Sequence, residues 1–188
     1  MPRPKTLSDI EVLDIANRVL HERGPDGLTF EAVGKACGLS PATLVQRFGS
    51  KAALKQAALQ RAWDGLDART ARLAAAVPKT PAGAIHLLVG LSKDYGGIEQ
   101  YAEGLLMLRE DLRDPALRAR GARWNEVLCR ALDGCFADQP GASPDIGFLM
   151  ASQWQGSLLW WSFDPRGKVE DFVEDGLKRF VAVAFPSP

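Results

Sequence analysis

Apolar residues recur along this chain at intervals of three and four, and no stretch alternates apolar with polar as a half-buried strand would. Ser8 with Glu11 has the spacing of a capping box, and Ile15, Ala16, Val19 and Leu20 stripe the helix it opens. Gly24-Pro25-Asp26-Gly27 ends that helix. Thr29 caps a second helix whose inward face carries Phe30, Val33 and Cys37, and Gly38 closes it where a left-handed backbone is wanted. Ser40 and Pro41 open a third, held to the second through Leu39, Leu44 and Phe48. Gly34 leaves room for the two to cross closely, so residues 28–51 read as a helix-turn-helix. A long helix follows from Ser50–Lys51 to Ala76 with Leu59, Trp63, Leu66, Thr70 and Leu73 on one seam, and Pro78 stops it. Thr80-Pro81, Asp114-Pro115 and Ser143-Pro144 pair a capping side chain with proline, predicting helices over about 81–94, 115–137 and 144–163. Gly96-Gly97 and residues 164–167 are breakers, leaving a shorter helix near 99–112 and a last one over 169–185. The fold class is all-α with about nine helices: a three-helix unit over residues 1–49 and a helical unit over 50–188.

Composition bounds what such a chain can do. Its 188 residues can bury a substantial core, and 46% hydrophobic with 24% charged is ordinary for a globular protein. The net charge is zero, but residues 1–61 hold nine Lys/Arg against six Asp/Glu, so the basic excess lies with the helix-turn-helix. Met1–Thr6 reads as a short basic arm with Arg3 and Lys5. Cys37, Cys129 and Cys135 are too few for a disulfide scaffold, and Cys129 and Cys135 stand about 9 Å apart along a helix axis, too far to bridge. No signal peptide or membrane span is expected, which points to the cytoplasm. Nucleophile elbow, phosphate loop and metal-ligand spacings are absent, and His21 and His86 have no acidic partner in register. The expectation is a protein that is not an enzyme and that needs no cofactor or metal.

The candidate chemistry lies on the third helix. Ala42, Thr43, Gln46 and Arg47 are short or hydrogen-bonding, and no carboxylate falls between Glu31 and Asp64, which suits a polyanion. Residues 28–54 resemble the DNA-binding signature of the TetR family of bacterial transcription regulators. That family's Leu-Tyr-x-His/Tyr-Phe run, followed by Ser-Lys, corresponds here to Leu44, Val45, Gln46, Arg47, Phe48, Ser50 and Lys51. Val45 departs from a phosphate-contacting Tyr, and Arg47 replaces His or Tyr. The resemblance implies that the third helix enters the major groove of double-stranded operator DNA. Thr43 and Gln46 then meet bases, Arg47, Lys51 and the Thr29 hydroxyl reach phosphates, and Ser40, Pro41 and Ala42 complete the DNA-binding set.

All five tryptophans fall from Trp63 onward. Leu66, His86, Met107, Trp124, Met150, Trp154 and Trp161 are the candidate pocket, mostly apolar and aromatic, suited to a hydrophobic or aromatic effector. The last two helices carry more apolar surface than a small bundle needs. Ile146, Leu149, Gln153, Gly156, Trp160, Phe172, Val173, Gly176 and Phe180 are expected to pair with a second copy as a four-helix bundle, where the TetR family also dimerises. The resemblance implies a ligand-responsive regulator, a repressor binding a palindromic operator as a homodimer and released by its effector. The alternatives are a thiol-based redox regulator using Cys129 or Cys135, or an all-α ligand carrier or enzyme.

Overall fold

The computed structural model describes residues 7–186, so the basic arm with Arg3 and Lys5 lies outside the described residues. Within them there are nine α-helices, one 3-10 turn and no strand. The helices are α1 (Asp9–Gly27), α2 (Phe30–Cys37), α3 (Pro41–Phe48), α4 (Lys51–Ala76), α5 (Pro81–Ser92), α6 (Ile98–Arg113), α7 (Pro115–Asp133), α8 (Ile146–Phe163) and α9 (Val169–Ala184). Packing divides the chain into two compact units. One holds the residues up to Leu66 with Ala102–Gly121, and the other Asp67–Tyr101 with the residues from Ala122 on.

In the first unit, Ser8 and Glu11 form the capping box in both directions, and α1 is interrupted at Gly24 (φ 69°, ψ 175°), where the sequence puts its end. Val12, Ala16, Val19 and Leu20 of α1 share a cluster with Leu28, Val33 and Leu44. Leu54, Ala58 and Leu59 of α4 complete it with Met107 and Leu117. Burying each of the larger side chains stabilises the fold by about 1.5–3 kcal/mol. The early turns of α4 therefore pack with α1–α3, whereas the boundary expected at residues 49–50 follows chain order. Polar ties add to this packing. Lys55 pairs with Glu110, Gln56 donates to Asp114 (2.7 Å), the Trp63 indole donates to Asp111 (3.2 Å), and Arg120 pairs with Asp64 (3.2 Å).

In the second unit α8 lies on α9, and α9 on α5. Its core includes Leu87, Leu88, Leu128, Phe136, Met150, Trp154, Leu158, Val173 and Leu177. Three helix ends differ from expectation. α5 stops at Ser92 and runs into a 3-10 turn over Lys93–Tyr95. α7 stops at Asp133 rather than near Ala137. The chain tightens there through Cys135 N–H to Leu132 and Phe136 N–H to Asp133, which buries both side chains. α8 begins at Ile146, not Pro144. Ser143 Oγ is spent on the Asp145 N–H, and the start of α8 is capped from α7, where Asp133 Oδ1 accepts the Gly147 N–H (2.7 Å).

Candidate nucleic-acid interface

The α2–α3 pair is fixed by local chemistry. Thr29 Oγ1 accepts the Ala32 N–H (3.0 Å) and Ser40 Oγ accepts the Thr43 N–H (3.1 Å), so both helices begin on a satisfied cap. Gly38 is left-handed (φ 71°, ψ 22°), and the Leu39 N–H closes on the Gly34 carbonyl at 3.1 Å. A Cβ at Gly34 would stand 2.6 Å from the Leu39 carbonyl oxygen and 3.7 Å from Leu44 Cδ1. The close crossing thus needs glycine at that place, which outweighs the roughly 1 kcal/mol that glycine costs inside a helix.

With Leu44 fully buried, the opposite face of α3 is open. Ser40, Pro41, Ala42 and Gln46 are exposed and Thr43 is half-buried, its hydroxyl 2.8 Å from Ser40 Oγ. Val45 is 45% exposed, an apolar side chain at the surface. Thr29 and Lys51 are exposed as well. Two of the expected phosphate ligands are already engaged. Arg47 donates to the Leu7 carbonyl (2.8 Å) and lies 3.5 Å from the Asp9 carboxylate, while Lys51 donates to the Asp26 carbonyl (3.0 Å). Ala42 and Gln46 share one row of the helix surface and Thr43 and Arg47 the next, by i, i+4 spacing. That face can offer hydroxyl, amide and guanidinium groups without a carboxylate of its own.

The residues expected as one pocket are distributed. Trp124, Met150, Trp154 and Trp161 are buried together with the second unit, whereas half-buried Leu66 and buried Met107 belong to the first. His86 is exposed, because Ile85, Leu87 and Leu88 take the inner face of α5. The aromatic core gains two residues that periodicity does not signal. Tyr95 and Tyr101 flank the Gly96-Gly97 break and stack edge-on at 5.6 Å. Tyr95 also meets Trp154 (6.4 Å) and Tyr101 meets Trp161 (6.3 Å), while Trp124 and Trp154 are 6.4 Å apart. Burial pushes the Tyr95 hydroxyl up to about 12 and the Tyr101 hydroxyl in the same direction. Trp124 Nε1 donates to Thr70 Oγ1 (3.0 Å) and Trp154 Nε1 to Ser92 Oγ (2.8 Å). Trp161 Nε1 is buried and, among the described residues, has no hydrogen-bond partner.

Residues expected to meet a second copy divide by face. Ile146 and Val173 point into the core, and Leu149 is exposed beside a smaller recess it shares with Ile146 and Phe180. Gln153, Gly156, Trp160, Phe172, Gly176 and Phe180 line an open groove of about 610 Å³ along α8 and α9. The two glycines differ. A Cβ on Gly176 would meet Ser157 Oγ at 2.9 Å, so it serves the α8–α9 contact, whereas Gly156 faces open space. Burial pushes both the Cys129 and Cys135 thiols up, away from the thiolate that redox chemistry uses. Among the described residues no cluster of His, Cys, Asp and Glu could hold a metal, and no helix is long and apolar enough to cross a membrane.

No curated protein sequence matches the chain. Residues 12–58 match the family model "Bacterial regulatory proteins, tetR family". Among solved structures, the chain is similar to a transcriptional regulator from Rhodococcus sp. Rha1, at 16% identity over 96% of this chain and 100% of that one, with a TM-score of 0.75. A putative transcriptional regulator from Saccharomonospora viridis in complex with choline is 18% identical over 90% and 93% of the two chains, with a TM-score of 0.72. The multidrug binding protein EbrR complexed with imidazole is 22% identical over 100% and 98%, with a TM-score of 0.65. Residues 12–58 are thus similar to the tetR family of bacterial regulatory proteins, and the likeness to the solved structures extends a common fold well beyond that segment.

Proposed function

We propose that the chain is a cytoplasmic, ligand-responsive repressor that binds a palindromic operator as a homodimer. The observation that carries this reading is the face of α3, where Ala42, Thr43 and Gln46 stand outward on a helix rigidly crossed over α2 at Gly34. Thr43 offers a methyl group suited to thymine, and Gln46 a donor and an acceptor suited to adenine. One helix reads only a few base pairs, so two copies must stand about 34 Å apart to read both halves of a palindrome. The groove along α8 and α9, with space over Gly156 and Trp160 69% exposed beside it, supports pairing with a second copy. A small-molecule effector in the second unit is supported by its aromatic interior and by relatives solved with choline or imidazole. Such a ligand acts only through unequal affinity for two arrangements, and a tenfold preference is about 1.4 kcal/mol.

The test is selection of duplexes from a random-sequence pool, followed by binding of single-base variants. An inverted repeat should emerge. Gln46→Ala should relax preference at one base pair per half-site by about 1–3 kcal/mol, leaving the other positions unchanged. Failure to enrich any duplex at low salt would overturn the reading.

A further inference from the structure

The outward arc of α3 carries more apolar than polar chemistry. At about 100° per residue, Pro41, Val45, Ala42 and Gln46 follow one another in that order over about 140° of the helix surface. All four are exposed, whereas Thr43 and Arg47 on the next rows are half-buried and Leu44 is fully buried. Val45, 45% exposed, and Ala42 therefore flank the middle of the arc, with Gln46 as its one amide edge. The Thr43 hydroxyl lies 2.8 Å from Ser40 Oγ, which also accepts the Thr43 N–H (3.1 Å), so it is tied into the helix cap. A surface built to meet DNA through polar groups alone has no use for a valine at that place.

We propose that Val45 is a specificity-determining residue that packs on the 5-methyl group of one thymine in each operator half-site, with Pro41 and Ala42 completing the apolar surface around it. This rests on the DNA-binding function proposed above. Val45 has neither donor nor acceptor, so it can hold no phosphate and no polar base edge. In the major groove adenine, guanine and cytosine offer only donors and acceptors, and thymine alone adds a methyl group. Pressing Val45 against a cytosine amino group or guanine O6 strips that group of water and returns nothing, which rejects the wrong base. Against thymine the same contact buries apolar surface on both sides. Val45 and Gln46 then divide the reading, the amide recognising adenine and the apolar strip a thymine methyl beside it.

The duplex enriched from the random pool serves as probe, with each thymine in turn replaced by uracil, which removes the methyl and keeps the pairing. For the unaltered chain, one such replacement in a half-site should weaken binding about fourfold, the worth of one buried methyl group. V45A should erase that response, leaving the thymine and uracil duplexes equal, without changing the dependence of binding on salt. T43S, which keeps the hydroxyl and drops the methyl, should leave the response at that position intact. A C·G pair placed there should bind weakly, and 5-methylcytosine should recover affinity with the unaltered chain but not with V45A. Val45 is exposed, and a thermal melt of V45A checks that the fold is kept. If V45A leaves every uracil response in place, or weakens all duplexes alike, the assignment of Val45 to a thymine methyl is overturned while DNA binding stands. An enriched duplex indifferent to the loss of every methyl overturns it in the same way. A full chain that enriches no duplex overturns the DNA-binding function itself, and this inference with it.

Discussion

Gly34 and Gly65 both sit inside helices of the first unit, yet replacing each with alanine should have opposite effects. A Cβ at Gly34 meets the Leu39 carbonyl oxygen at 2.6 Å, and that oxygen belongs to a turn with little freedom to retreat. Overpacking of this kind costs about 1–3 kcal/mol, more than the roughly 1 kcal/mol gained in helix propensity. At Gly65 nothing lies within 4 Å, so only the propensity gain remains. Thermal melts should therefore fall for Gly34→Ala and rise for Gly65→Ala, and a stabilised Gly34→Ala would remove the close-crossing argument. The spacing of Gly34, Gly38 and Leu44 was enough to foresee this contact, because it is local. Arg47 was not legible in the same way. Its partners lie some forty positions earlier in the chain, and no periodicity connects them.

At the scale of elements, caps made within a helix's own first turn were legible and those made by a neighbour were not. Ser8, Thr29, Ser40 and Thr80 each cap as their spacing suggests. The start of α8 is set instead by Asp133 on α7, and the end of α7 by the burial of Cys135 and Phe136. The ties between α4 and α6 are of the same long-range kind. The Lys55 ammonium hydrogen-bonds Glu110 and holds its carboxyl below the usual carboxylate range. A depressed acid stabilises the fold above its unfolded value, about 4.3, and loses that contribution as pH falls through the folded value. The gap in melting temperature between the unaltered protein and Glu110→Gln should thus be widest near neutrality and close on acidification. A gap that grows toward acid would contradict the sign.

For the whole molecule, the surplus of apolar surface on α8 and α9 was visible as pattern, and the groove along Trp160 and Phe172 gives it a location. Trp160→Asp touches a side chain 69% exposed in the single chain, so its fold should change by no more than about 0.5 kcal/mol. Sedimentation equilibrium should nevertheless show the mass halve, with operator affinity lost alongside. A variant that stays dimeric would move the interface elsewhere. The candidate pocket was less legible, because aromatic residues at helical spacing describe a packed core as well as a cavity. Leu66 and Met107 share the chemistry of Trp124 and Trp154 but not their unit.

Trp161 carries one more consequence. An indole N–H shut away from water with nothing among the described residues to accept it leaves the folded interior short of its best attainable energy, by about 1–3 kcal/mol. The second unit consequently has a standing appetite for a small acceptor, and a molecule bringing a carbonyl or ether oxygen to that nitrogen should raise the melting temperature. Trp161→Phe, which deletes the donor and keeps an aromatic ring, should lose most of that response while costing less stability than Trp154→Phe, whose indole already has its oxygen in Ser92.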